Sequence, residues 1–228
     1  MSIRPDSCLV LMAKTPQPGF VKTRLVPPLN SEQAATLYDA MLRDSLDASY
    51  APQLWQLVIA FWPEEHRGFF EGLIGDRDVE LLQQKGCDLP ARMSGVFQTL
   101  TQRFERVVMR NTDSPQLSTE QLAKALATLC DRDDLVFGPD QGGGYYLVGM
   151  SEFKDTLFDA QASTDSNYDE TLSRAQDIGY RPHELGAELD VDHIRDLNAL
   201  AEKLRLGKLS ASSCHATREY LRKLGRLS

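Results

Sequence analysis

The chain has no apolar run long enough to cross a bilayer, which excludes a membrane-spanning helix of ordinary length. Cysteine is scarce: Cys8, Cys87, Cys130 and Cys214 are the four in 228 residues, and none forms a CxxC pair or joins a histidine cluster. That spacing argues against structural zinc and against a disulfide scaffold, and leaves a reducing, cytoplasmic setting as the expectation. Cys8 and Cys130 stand among apolar neighbours and read as core thiols. Histidine is equally sparse, with four scattered residues and no Ser/His or Cys/His pairing that would mark an activated nucleophile. Positive charge is short as well. Twenty-five Lys and Arg face 33 Asp and Glu, a net charge of -8 that repels nucleic-acid polymers. Neither a nucleic acid nor a membrane is therefore expected as a partner. Repeats, low-complexity tracts and linkers are absent, so residues 1–228 read as one domain. Met1 to Leu11 carries one Arg and a short apolar piece without a small-residue cleavage site, which reads as a strand and not a signal peptide.

What is present is an alternation of short apolar runs with longer helical patterns, the signature of βα units on a largely parallel sheet. Strands are predicted over Cys8–Ala13, Leu54–Phe61, Val79–Leu82, Arg106–Arg110, Leu135–Gly138 and Tyr145–Met150. Helices are predicted over Ser31–Ala48, Glu64–Ile74, Leu89–Arg103 and from Ser118 to about Cys130. Asn30 with Gln33, and Ser118 with Gln121, have the spacing of capping boxes. Beyond Ser151 two or three helices are expected, with an extended piece at Leu185–Val191. The basic, amphipathic stretch from Cys214 to Leu227 presents Tyr220, Leu221 and Leu224 on one side. It suits packing on its own domain, with a homodimer contact as the alternative.

Four segments have the residues for chemistry. Lys14 to Arg24 (KTPQPGFVKTR) follows the first strand, where parallel α/β sheets open onto a ligand crevice. Pro16 and Pro18 stiffen it, and Gly19 permits close backbone approach. Lys14, Lys22 and Arg24 place three positive charges within eleven residues of an acidic protein, as phosphate recognition requires. A merely solvated loop is the plainer reading. The turn Asn111–Pro115 follows the Arg106–Arg110 strand. Its Asp113 suits a hard divalent cation, and equally a turn-former. Gly138 to Tyr146 (GPDQGGGYY) carries three successive glycines, Gly142, Gly143 and Gly144, fit for close approach to a ligand or for a tight hairpin. Tyr145 and Tyr146 should point to opposite faces, one to the core and one to the cleft. Asp190 and Asp192 share a face if extended, a metal-holding geometry. Alternatively Asp192 caps the following helix.

In this order, KTPQPGFVKTRL, TDSP, GPDQGGGYYLVGM and DVD resemble the DUF2064 family, also called glycosyltransferase-like transferases associated with radical-SAM and selenodomain proteins. That family is similar to the cofactor F420 guanylyltransferases and, more distantly, to the molybdenum-cofactor guanylyltransferases. The resemblance runs from about Leu9 to Leu204. It implies the nucleotide-diphospho-sugar transferase fold of the GT-A type, a mixed, mostly parallel sheet flanked by helices. It implies a transferase with a nucleotide or nucleotide-sugar donor and a small-molecule acceptor. Lys14, Gly19, Lys22, Thr23, Arg24, Gly143 and Gly144 would hold the nucleotide, Lys22 and Asp113 would act catalytically, and Asp113, Asp190 and Asp192 would bind Mg²⁺ or Mn²⁺. The chain departs from the family pattern in three places. NTDSP stands where the family has a turn like GSDCP, Gly142 replaces an acidic residue, and Ala162, beside Ser163 and Thr164, stands where a Trp is usual. Asp140, two residues before Gly142, is a candidate replacement for the missing carboxylate. The basic loop favours nucleotidyl transfer from a nucleoside triphosphate to a phosphorylated acceptor. Glycosyl transfer and nucleotide binding without turnover are the alternatives.

Overall fold

The structure is a computed structural model and describes residues 6–158, 168–209 and 213–227. Seven strands form one sheet in the order β3-β2-β1-β4-β6-β5-β7. They are β1 (Ser7–Lys14), β2 (Gln56–Trp62), β3 (Val79–Gln83), β4 (Arg106–Arg110), β5 (Asp134–Pro139), β6 (Tyr145–Met150) and β7 (Arg181–Glu184). Only β6 runs antiparallel to its neighbours, β4 and β5; the other pairings are parallel. The helices are α1 (Ser31–Ser49), α2 (Arg67–Ile74), α3 (Leu89–Leu100), α4 (Thr119–Thr128), α5 (Tyr168–Asp177), α6 (Ile194–Arg205) and α7 (His215–Lys223). This is the mixed, mostly parallel sheet expected from the sequence.

The central strands are apolar on both faces because helices cover both. In β1, Leu9, Leu11 and Ala13 enter one core while Cys8 and Val10 enter the other, following the two-residue side-chain period. The first core is closed by Tyr38, Leu42 and Leu46 of α1, Phe70 of α2 and Leu122 of α4. The second is closed by Met93, Val96 and Phe97 of α3 and Ala175 of α5. A third cluster lies on the far flank of α1, where Leu37 and Met41 meet Leu197 and Leu200 of α6 and Leu221 of α7.

The capping boxes form as the spacing predicted. Asn30 accepts from Gln33 N at 2.8 Å, and Ser118 accepts from Gln121 N at 3.3 Å. Several boundaries differ. The strand expected from Leu54 begins at Gln56, and the helix expected over Glu64–Ile74 opens with a 3-10 turn at Glu64–His66. The helix expected to reach Arg103 ends at Leu100. Cys130 lies beyond the end of α4 and is exposed, so it is not a core thiol, whereas Cys8 is buried. The late extended piece is also displaced: the strand is β7, and of residues 185–191 only Glu188 makes a strand-like bridge, to Asp140. The C-terminal segment packs on its own domain. Asp44 of α1 accepts from the backbone N–H groups of Ala216 and Thr217, both at 2.8 Å, capping the first turn of α7. Ala162, Ser163 and Thr164 lie outside the described residues.

Candidate nucleotide site at the carboxyl edge of the sheet

In a parallel sheet every β-strand ends on the same edge, so the loops after β1, β4 and β5 share one rim. Lys14 ends β1 there, and its backbone N–H donates to the Tyr38 hydroxyl at 2.9 Å. Thr112, in the turn after β4, donates to the same hydroxyl at 3.1 Å. One buried phenol of α1 thus joins the basic loop to the acidic turn. Burial, reinforced by the negative charge of Asp113, pushes the Tyr38 phenol up to about 12.

Lys22 turns inward from the basic loop. Its backbone is left-handed, with φ 48° and ψ 37°, a conformation uncommon for a residue with a side chain. The ammonium meets Asp113 Oδ1 at 2.6 Å, Asp192 Oδ1 at 3.2 Å and the Val191 carbonyl at 2.6 Å. Burial alone would depress its pKa, but Asp113 and Asp192 outweigh that and hold it above the ordinary lysine value. Arg24 approaches Asp192 Oδ2 at 3.7 Å from the solvent side. Gly19 takes φ 81°, which turns the loop and leaves Phe20 70% exposed at the rim. Thr23 opens a 3-10 turn and is exposed.

The two acidic segments are laced together. Val191 N donates to the Asp113 carbonyl at 2.9 Å. Asn111 accepts from Asp113 N at 3.1 Å and donates its amide to Asp190 Oδ2 at 2.7 Å. The other Asp190 oxygen is in a short hydrogen bond with the Ser114 hydroxyl. Burial, then the charge of Asp113, raises the Asp190 carboxyl to about 7. Asp192 does not cap α6, whose N-cap is His193. Asp196 instead accepts from the backbone N–H groups of Asp192 and His193, at 3.2 and 2.7 Å.

The glycine turn comes to the same rim because β6 reverses direction after β5. Asp140 Oδ1 accepts from Gly142 N at 2.5 Å and Gly144 N at 3.0 Å, so the carboxylate before the turn organises it. Gly143 adopts φ 94°, and its carbonyl accepts from Tyr168 N at 2.9 Å. Asp140 is close enough to Asp190 to help raise its pKa. Tyr145 and Tyr146 do point to opposite faces, but both are buried. Each enters the core of its own face, and the Tyr146 hydroxyl donates to the Gly186 carbonyl at 3.0 Å, in the segment that leads to Asp190.

Lys14, Lys22, Arg24, Asp113, Asp190 and Asp192 therefore come from segments far apart in sequence to one edge. Their fit to a divalent ion is a separate matter. The point shared by Asp113 and Asp192 is taken by the Lys22 ammonium, and both Asp190 oxygens have protein partners. Among the described residues no group of three or more His, Cys, Asp or Glu is arranged to hold a metal. This arrangement is not a preformed ion cage.

Several residues that shape the site belong to none of the four sequence segments. Arg110, 1% exposed, donates to the carbonyls of Asn111 (2.9 Å) and Ser114 (2.8 Å) and to the Ser45 hydroxyl (3.1 Å). Burial lowers its pKa to about 10, so it stays charged at neutral pH. The loop from Gln84 to Asp88 also reaches this edge. Gln84 donates to the Ala13 and Ala60 carbonyls, and Arg92 of α3 stacks over Trp62 at 4.3 Å. Glycine is required at Gly86, since a Cβ there would stand 2.8 Å from Ala91 Cβ. The Gly86 in that loop, followed by the Asp88 cap, was the one signal available in the sequence.

The fold and the site define a class: proteins with the nucleotide-diphospho-sugar transferase fold. A crystal structure of a provisionally named nucleotide-diphospho-sugar transferase from Desulfovibrio desulfuricans G20 matches with a TM-score of 0.85 and 29% identity, over 97% of each chain. A cytidylyltransferase from Leptospira borgpetersenii matches with a TM-score of 0.60 and 12% identity, over 97% of this chain and 96% of that one. A nucleotidyl transferase from Methanothermobacter matches with a TM-score of 0.57 and 16% identity, over 88% and 98%. At those identities the last two establish the fold alone. No curated protein sequence matches the chain. Residues 45–164 match the model of DUF2064, a family described as uncharacterized proteins conserved in bacteria, and the chain belongs to that family.

Proposed function

We propose that this protein is a transferase acting on an activated nucleotide, and that it moves a nucleotidyl group from a nucleoside triphosphate to a small phosphorylated acceptor. The observation that carries the reading is the meeting of the β1 loop cations with Asp113 and Asp192, centred on Lys22 Nζ 2.6 Å from Asp113. A polyphosphate needs concentrated positive charge, and Lys14, Lys22 and Arg24 supply it on a protein that is otherwise acidic. In this reaction an acceptor phosphate oxygen bonds to the α-phosphorus, the bond to the β-phosphate oxygen breaks, and pyrophosphate leaves. No protein nucleophile is required. Lys22 and Arg24 would balance charge on the phosphates, with Gly19 and Thr23 at the loop backbone and Gly143 and Gly144 in the glycine turn of the same rim. Dependence on Mg²⁺ or Mn²⁺ belongs to this reading.

A second reading, glycosyl transfer from a nucleotide-sugar, is favoured by the name of the 29% identical neighbour. The test begins with a thermal-shift screen of nucleoside triphosphates and nucleotide-sugars with Mg²⁺. Release is then measured with a panel of phosphorylated and sugar acceptors. Pyrophosphate release supports nucleotidyl transfer, and nucleoside diphosphate release supports glycosyl transfer. Tight binding with no release would make Gly142 the mark of a binding protein that has lost turnover. No shift with any nucleotide would overturn the proposal.

A further inference from the structure

A divalent ion shared by Asp113 and Asp192 would sit where their oxygens converge, and that point holds an ammonium. The three hydrogens of Lys22 Nζ face three acceptors, Asp113 Oδ1, Asp192 Oδ1 and the Val191 carbonyl. The side chain is only 4% exposed, so water does not compete for them. The second Asp192 oxygen faces Arg24 at 3.7 Å. Asp190 is committed on both oxygens, to Asn111 and to Ser114. The cluster therefore already has its balancing cation, supplied by the chain itself.

The backbone under Lys22 points the same way. A side-chain-bearing residue in the left-handed region is held there by its surroundings: at Lys22 these are the three acceptors on the ammonium, together with the Leu25 N–H that donates to the Lys22 carbonyl at 3.0 Å. If the ammonium acquired another anion, the side-chain part of that hold would be released. A bare divalent ion offers no such anion. It would have to enter beside a buried ammonium, with like charges a few ångströms apart. A metal-bound polyphosphate removes the conflict, because its oxygens can receive the ammonium while its ion takes the carboxylates.

We infer that Lys22 is the resident cation of the Asp113/Asp192 pair in the free protein. A divalent ion reaches these carboxylates only with a polyphosphate, so the ligand is the metal–polyphosphate complex and not the ion alone. This rests on the nucleotide-transfer reading and adds to it a coupling between the two components of the ligand. Such coupling is reciprocal: each component raises the affinity for the other by the same factor.

The test uses Mn²⁺ alone as the probe, followed by loss of the free-ion EPR signal, on the parent chain and on Lys22→Met and Lys22→Gly. Methionine keeps the stem without the charge, and glycine suits the left-handed backbone. Both variants should bind Mn²⁺ more tightly than the parent by about tenfold or more, inside the usual 5–150-fold span of site coupling. Equal or weaker Mn²⁺ binding in a variant with a native circular dichroism spectrum would overturn the inference. A second measurement stands if neither variant folds. In the parent, Mn²⁺ and inorganic tripolyphosphate together should raise the melting temperature by more than the sum of their separate effects. Strictly additive shifts would overturn it too. Because these readouts use no nucleotide, their failure is distinct from failure of the nucleotide-transfer reading, which is decided by the nucleotide screen.

Discussion

Replacing Arg110 by methionine tests how the fold builds the acidic turn. Arg110 ends β4 with its guanidinium buried between that turn and α1, where it donates to two carbonyls and one hydroxyl at 2.8–3.1 Å. Methionine fills much of the same volume and makes none of these bonds. A hydrogen bond from a charged group contributes roughly 1.5–3 kcal/mol, and an acceptor left buried without a partner costs about 1–3 kcal/mol. Part of that loss is offset. Burial already disfavours this charge, lowering its pKa to about 10, and Nη1 has no partner among the described residues. The net destabilisation should be about 2–3 kcal/mol. For a chain of this length each kcal/mol moves the melting temperature by about 2–4 °C, so a drop of roughly 4–12 °C is expected. The turn also carries Asp113, so the thermal shift given by the best nucleotide should shrink as well. Arg110→Lys should fall between parent and Met, since one ammonium cannot reproduce the fork. Melting curves with and without nucleotide provide the assay. A melting temperature within about 2 °C of the parent would refute the stability argument. A destabilised variant with an undiminished nucleotide shift would refute the link to the site.

At the opposite edge of the sheet, burial opposes ionisation of Asp134. Hydrogen bonds from His183, from the backbone of Asp131 and Cys130, and from Arg181 outweigh it and hold the carboxyl well below its ordinary 3.8. A lowered pKa gives stability that is complete above the ordinary carboxylate range and fades as pH falls through it. Asp134→Asn should therefore lower the melting temperature at pH 7, with the gap to the parent closing in acid. A gap that is constant from pH 7 to 3 would count against this. In β6, Gly149→Ala would put a Cβ 2.6 Å from Val108 Cγ2 and 2.9 Å from Val136 Cγ1. Overpacking of that kind costs typically about 1–3 kcal/mol, readable as a shifted urea midpoint, and an unchanged midpoint would show that the sheet yields there.

The parts of the fold readable from sequence were those decided locally. Asn30 and Gln33 mark the start of α1 because a cap is made within four residues, and β1 announces itself because both its faces are covered. Other features depend on partners far along the chain. The strand β7, Arg-Pro-His-Glu, has no apolar alternation. It pairs as an edge with β5, so the apolar Leu185, Leu189 and Val191 drew the expected strand to the wrong side of residue 185. Cys130 looked like core because the residues before it line the buried side of α4, but the helix ends first. At the site, the basic loop and both acidic segments were visible as motifs. That Lys22 would bridge them was not, since Asp113 and Asp192 reach it only through the sheet topology. Arg110 was concealed for the same reason. Nothing in RVVMR says that Arg106 is half-buried at the start of the strand and Arg110 fully buried behind a turn.

Helix α1 serves two distant clients. Tyr38 receives Lys14 and Thr112 at the rim, and six residues later Asp44 receives the first turn of α7. An α-helix advances about 100° per residue. Inserting or deleting a single residue between positions 38 and 44 would thus swing one of these side chains about 100° away from its partner while the other stayed in place. Natural length variation in this lineage should spare that six-residue interval and fall in the loops, because no repacking of the surrounding layers could keep both ends of the helix in phase.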